Sequence, residues 1–203
     1  MSLKLNGATD GSVELNVPDS VGSDVTGVLL PTTAGTLDRL ERAGNILQVV
    51  STTKTDVYSE TFATAGEGAG ITGFTVSITP SSTSSKILLT GFMSIGSDDT
   101  NNNLQSYRIY RDTTLIGIGD SDGSTSRVTG SCNLDNGGNR VPGVAAINFL
   151  DSPSTTSSVT YSVRFFQAYA TNVVLYLNRG GDTLDAATRH RAISTITAME
   201  VAA

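Results

Sequence analysis

From Ile46 onward, apolar and polar residues alternate with a period of two, the spacing of a strand whose side chains point to opposite faces. Ile87, Leu89, Gly91, Met93 and Ile95 fall on one side, and Leu88, Thr90, Phe92 and Ser94 on the other. Tyr161, Val163 and Phe165 alternate with Ser162, Arg164 and Phe166, and Val173, Leu175 and Leu177 with Val174, Tyr176 and Asn178. Near the end of the chain, Ile193, Thr195, Thr197, Met199 and Val201 alternate with Ser194, Ile196, Ala198 and Glu200. The pattern predicts strands over 46–50, 56–62, 73–78, 86–95, 105–111, 114–118, 126–130, 143–150, 159–169, 172–178 and 192–201. Turn-forming clusters such as TPSSTSSK, SDDTNNN and LDNGGN separate them. Short antiparallel strands at this spacing predict an all-β sandwich, and eight or more of them favour a jelly roll. Several strands are apolar on both faces, so a second cover is expected beyond the core: either the N-terminal arm or a subunit interface.

Residues 1–45 have a different character and predict an extended arm ahead of a sandwich over 46–203. Two short alternating stretches flank Thr9-Asp10-Gly11, and Asp-Gly in that setting signals a β-hairpin. Another short strand is expected from Val25 to Leu30, ending at Pro31. Thr36 through Gly44 reads as one or two helical turns, capped by Thr36 and ended by Gly44. The apolar positions of the arm (Leu3, Leu5, Val13, Leu15, then Leu29, Leu30, Leu37 and Leu40) are too few for a core of their own. They are expected to serve attachment or assembly.

Composition narrows the function. Charged residues make up 16% of the chain, and 24 serines and 28 threonines take much of their place. Threonine suits the pleat of a strand and serine the turn. With a net charge of −6 and lysine only at Lys4, Lys54 and Lys86, no basic stripe exists for nucleic acid. No apolar run reaches the length of a membrane span, and the opening MSLKLNGATDG lacks the apolar core of a signal peptide. Cys132 is the single cysteine, which excludes an intrachain disulfide and suits synthesis in a reducing host cytoplasm.

Candidate chemistry is sparse. A nucleophilic pair would need Cys132 beside His190, the only histidine, but His190 stands between Arg189 and Arg191, which disfavour an imidazolium. Asp120-Ser121-Asp122-Gly123 and Asp135-Asn136-Gly137-Gly138-Asn139 resemble fragments of oxygen-ligand loops. A calcium loop counted from Asp120 would place Ser131 where its glutamate belongs, so turns are the expected use, as they are for Asp98 and Asp99. A glycosidase needs two carboxylates, yet of Glu14, Glu41, Glu60, Glu67 and Glu200 only Glu200 lies in a late strand, facing away from Met199 and Val201. These readings predict no enzyme, no cofactor and no metal. Tyr107, Arg108, Tyr110 and Arg111 crowd aromatic and guanidinium groups into one strand, a candidate surface for a host glycan or protein. The plain alternative puts Tyr107 and Ile109 inward and Arg108 and Tyr110 outward.

Two stretches carry a resemblance. The opening, Leu3–Gly7 through Gly11–Leu15 to Leu29–Leu37, is similar to the N-terminal segment of tail-fibre-like and other virion structural proteins of marine and cyanobacterial tailed phages. The runs Ile46–Asp56 and Val76–Leu88, with Ala145–Pro153 and Ile196–Ala203, resemble the module that follows it. The resemblance implies a trimer-forming β-sandwich on the virion surface, partnered by tail, baseplate or major capsid proteins, with no catalytic motif. A tail-fibre-like, receptor-contacting part is the first role this implies, and a capsid decoration protein the second. A glycan-degrading enzyme is a distant third.

Overall fold

The computed structural model describes residues 2–6, 12–16, 42–99, 104–133, 141–168, 172–182 and 186–203. The chain divides into two compact units, Met1–Arg39 and Leu40–Ala203. In the first unit, β1 (Ser2–Asn6) and β2 (Ser12–Asn16) pair antiparallel, with Leu3 opposite Leu15 and Leu5 opposite Val13. The strand expected at 25–30, residues 36–41 of the expected helix, and Leu29, Leu30, Leu37 and Leu40 lie outside the described residues, and the chain at 42–45 is a turn closed by Asn45 N donating to Arg42 O at 2.9 Å.

The second unit holds β3 (Ile46–Lys54), β4 (Tyr58–Phe62), β5 (Gly66–Ile78), β6 (Lys86–Ser97), β7 (Leu104–Arg111), β8 (Thr114–Ile116), β9 (Gly130–Asn133), β10 (Gly143–Asp151), β11 (Val159–Gln167), β12 (Val173–Leu177) and β13 (Ser194–Val201). One sheet runs β3-β13-β6-β10. β12 continues the line of β13 along β6, and β4 flanks it. The other sheet runs β5-β11-β7, and β8 and β9 share the far edge of β7. All pairings are antiparallel, and no helix occurs among the described residues. With β8 and β9 taken as one interrupted strand and β4 and β12 set aside as additions, the two sheets read 1-8-3-6 and 2-7-4-5 in chain order. That order is the jelly roll, two Greek keys folded face to face.

The core forms where the inward residues of both sheets meet. Ile87, Leu89, Met93 and Ile95 of β6 pack with Ile196 and Ala198 of β13 against Phe74, Tyr161, Val163 and Phe165 of the facing sheet. The exposed edges are closed by side chains. Gln48 Nε2 donates to Thr79 O at 2.6 Å and Thr52 Oγ1 to Thr75 O at 2.7 Å, joining β3 to the β5 side. At the opposite side Tyr107 Oη donates to Ala146 O, fastening β7 to β10.

One predicted strand is displaced. The chain over 126–129 is a loop, and the strand is Gly130–Asn133. Arg127 Nε donates to Gly119 O at 2.6 Å and Thr129 N to Tyr107 O at 2.9 Å, which turns these residues across β7 before pairing begins. The strand predicted at 73–78 starts earlier, at Gly66, because Gly66–Gly70 pairs with the end of β11 without any apolar alternation to announce it.

Candidate functional site

The candidate ligand strand, β7, has two sides. Tyr107 and Ile109 are buried, and Arg111 also turns inward to Asp151, with its Nη1 donating to both carboxylate oxygens at 2.9 and 2.8 Å. Tyr107 and Arg111 are therefore not part of an outward ligand surface, because side chains on a strand alternate and β7 presents their parity to the core. Arg108 and Tyr110 do face outward, and two further residues join them. The Arg108 guanidinium lies 4.0 Å over the Phe166 ring and the Arg164 guanidinium 4.0 Å over the Tyr110 ring. Glu67 gathers the group: Arg108 Nη1 donates to it at 3.1 Å, Arg164 Nη1 at 3.0 Å, and Tyr110 Oη at 2.7 and 2.8 Å. Burial pushes the Glu67 carboxyl up, but the three donors together hold it below its ordinary range. Arg164 and Phe166 sit at the two register shifts between β11 and β5, so the cluster pins an irregular stretch of sheet. Its cationic and hydroxyl groups are largely consumed by one another.

The other chemical candidates also serve structure. Cys132 lies buried in β9, and burial pushes its thiol up to about 11, away from the reactive thiolate. His190 is exposed in the turn before β13, in the other sheet, where Arg189 N donates to Ala186 O at 2.9 Å. Asp122 O accepts from Thr125 N at 2.9 Å in a tight turn. Asp98 Oδ1 accepts from Val174 N at 2.7 Å, and Ser97 Oγ from Asp99 N at 3.0 Å. Among the described residues no three His, Cys, Asp or Glu side chains converge to hold a metal ion, and Asp135–Asn139 lies outside those residues.

Glu200 has a role that alternation in the sequence left open. It is 1% exposed, on the inward face of β13 with Ile196 and Ala198. Ser81 N and Oγ donate to Oε1 at 2.7 and 2.6 Å, and Gln48 Nε2 donates to Oε2 at 2.6 Å. Burial raises this carboxyl, but the hydrogen bonds from Ser81, Gln48 and Ser85 outweigh it and hold the group at about 2. The folded value lies below the ordinary 4.5, so the carboxylate stabilises the fold fully above about pH 4.5, and that stabilisation is lost as the pH falls toward 2. We expect urea midpoints of the wild type to drop over that window by the equivalent of up to about 3 kcal/mol. Glu200→Gln should flatten this limb, and an unchanged acid limb in that variant would remove Glu200 from the account. Beside this clamp is a cleft of about 300 Å³ lined by Leu47, Ala202, Ala203 and four serines of the turn at 81–85.

A second surface is the outer face of the β3-β13-β6-β10 sheet. Cross-strand register lays it out in rows. Val49, Met199, Leu88 and Leu150 form an apolar row, and Val49 and Leu150 are 57% and 48% exposed. Ser51, Thr197, Thr90 and Asn148 form a second row, wholly of hydroxyls and one amide, within which Ser51 Oγ and Thr197 Oγ1 are 2.9 Å apart. Thr53, Thr195, Phe92 and Ala146 form a third. No charged residue stands in the three rows. Of the twelve, Val49, Ser51, Thr53, Ala146, Asn148 and Leu150 are exposed, and the other six are partly exposed.

These observations define a jelly-roll domain with a charged cluster on the outer face of one sheet and three uncharged rows on the outer face of the other. No family model and no curated protein matches the chain. Among solved structures it is similar to "Structure of infectious bursal disease virus Gt strain", with 14% identity over 99% of this chain and a TM-score of 0.39. It is likewise similar to the Gx strain structure (16%, 95%, 0.38) and to the VP2 subviral particle of the same virus (13%, 97%, 0.38). The chain spans less than half the length of each: 47%, 43% and 49%.

Proposed function

We propose that this chain is a structural component of a virus particle, acting by packing and not by catalysis. The observation that carries this reading is the face of twelve uncharged residues on a sandwich in which Glu67, Asp151, Glu200, Arg108 and Arg164 are engaged in holding the fold. An uncharged face with one wholly apolar row suits a protein that meets a partner. The resemblance of Leu3–Gly7, Gly11–Leu15, Leu29–Leu37, Ile46–Asp56 and Val76–Leu88 to tailed-phage virion proteins supports a place at the virion surface, in a tail-fibre-like part that contacts the host. Arg108, Tyr110 and Arg164, the outward members of the Glu67 cluster, are then the groups a receptor would meet on that face.

A second reading, a decoration protein on the capsid, is favoured by one observation: Glu67 already takes the donors of Arg108, Tyr110 and Arg164. Immunogold labelling of particles tests the shared reading, and absence of label from every virion surface would sink it. Adding the purified chain to host cells separates the roles. A receptor-contacting part binds cells and lowers infection, whereas a decoration protein does neither.

A further inference from the structure

We infer that the open face of the β3-β13-β6-β10 sheet is where a second copy of this chain packs, face to face about a two-fold axis parallel to the strands and midway between β13 and β6. The inference rests on the assembly reading above and names its partner.

Charge is the first argument. Each copy carries −6, so two copies repel over most approaches, and only an uncharged face lets them close without burying like charges. Lys86, opposite Val201, stands at one end of the face, outside the three rows. The facing sheet's outer side, with Glu67, Arg108 and Arg164, has no such neutrality.

Self-complementarity is the second. A two-fold interface must be its own complement. Apolar groups satisfy that, and so do hydroxyls and amides, which both donate and accept. The proposed axis reverses each row onto itself. Met199 then meets Leu88 of the partner subunit, and Val49 meets the partner's Leu150. Thr197 meets the partner's Thr90, and Ser51 the partner's Asn148. Thr195 meets the partner's Phe92, and Thr53 the partner's Ala146. Each apolar position of the first row therefore finds another, and each hydroxyl of the second finds a partner that can donate or accept. An axis parallel to the strands gives the aligned packing usual for stacked sheets, about 10 Å apart.

Area sets the strength. Four strands span about 19 Å and three rows about 20 Å, so each copy offers about 400 Å² of plane. The pair then buries about 800 Å² or somewhat more with side-chain relief, below the roughly 1,200–2,000 Å² of stable complexes. The free chain is therefore expected to associate weakly, with a Kd in the range of about 10 µM to several hundred µM. Copies held on one particle would pair far more completely through effective concentration.

Sedimentation of the full chain from about 10 µM to about 1 mM tests this. The wild type should pass reversibly from monomer to dimer. Leu88→Asp and Thr197→Asp place a carboxylate in the middle of the face and should each weaken association at least about 30-fold. Ser77→Asp, on the outer side of the facing sheet, should leave it unchanged. Circular dichroism melts confirm that each variant is folded. A wild type that stays monomeric at 1 mM, a trimer in place of a dimer, or association indifferent to Leu88→Asp and Thr197→Asp would overturn the inference. Such a failure alongside positive labelling of virions would leave the structural role standing and remove only the two-fold pair.

Discussion

Gly91→Ala is expected to cost about 4 kcal/mol or more and to send most of the protein to the insoluble fraction. Gly91 lies in the middle of β6, opposite Ile147 on one side and Ile196 on the other. Its φ is +155°, at the margin of the region that L side chains avoid. A Cβ there would stand 2.1 Å from Thr195 O and 3.1 Å from Ile196 Cα. Both are backbone atoms of β13, so relief requires moving the strand itself, not a side chain. β13 is the strand that joins β3 to β6, and displacing it breaks two ladders at once. Urea denaturation of whatever soluble variant is recovered would measure the loss. A midpoint equal to the wild type would show that β13 can shift freely, contrary to the packing described.

Asp151→Ala is the second large effect, about 3–5 kcal/mol. Asp151 ends β10 in one sheet and receives Arg111 Nη1 and Tyr161 Oη from the other, the latter at 2.8 Å. Tyr161 is fully buried, and burial first, then the hydrogen bond to Asp151, pushes its hydroxyl well above the usual tyrosine range. It therefore stays protonated and donates. Removing the carboxylate leaves the buried Tyr161 hydroxyl with no acceptor and the half-buried guanidinium with only Ser152 O, 3.4 Å from Nη1, and it uncouples the two sheets at that corner. Asp151→Asn keeps the shape and one acceptor oxygen and should cost about 1–2 kcal/mol. Equal losses for the two substitutions, read from urea unfolding, would mean that packing and not charge holds the corner.

Strands with strict alternation were legible in the sequence because burial on one face imposes the period. β6, β11, β12 and β13 follow it, and the parity of β7 places Tyr107 and Ile109 inside and Arg108 and Tyr110 outside. Legibility failed where side chains do not report burial. The glycine-rich start of β5 has no pattern to read, and the edge partner of β7 is broken between β8 and β9 by a loop held through Arg127. The Glu67 cluster was invisible for a different reason: it joins residues from β5, β7 and β11, and only the register of three strands brings them together. Glu200 did leave a signal, since it shares the parity of Ile196 and Ala198. A lone carboxylate on the face of a strand that also carries isoleucine and alanine marks a buried polar clamp more often than a catalytic acid.

The position of β13 also sets the order in which the molecule can be built. Its neighbours β3 and β6 are made earlier, yet the slot between them is filled by the last of the described strands. Ser51 of β3 and Thr197 of β13, hydrogen-bonded along one side of that slot, are 146 residues apart along the chain. Until β13 inserts, two long strand edges stand open at the centre of the sheet, and those are the surfaces on which nascent chains stick to one another. A chain of this topology closes slowly, because so much loop must be ordered before its central ladders form. The growing polypeptide therefore stays vulnerable until Ser194–Val201 has been synthesised.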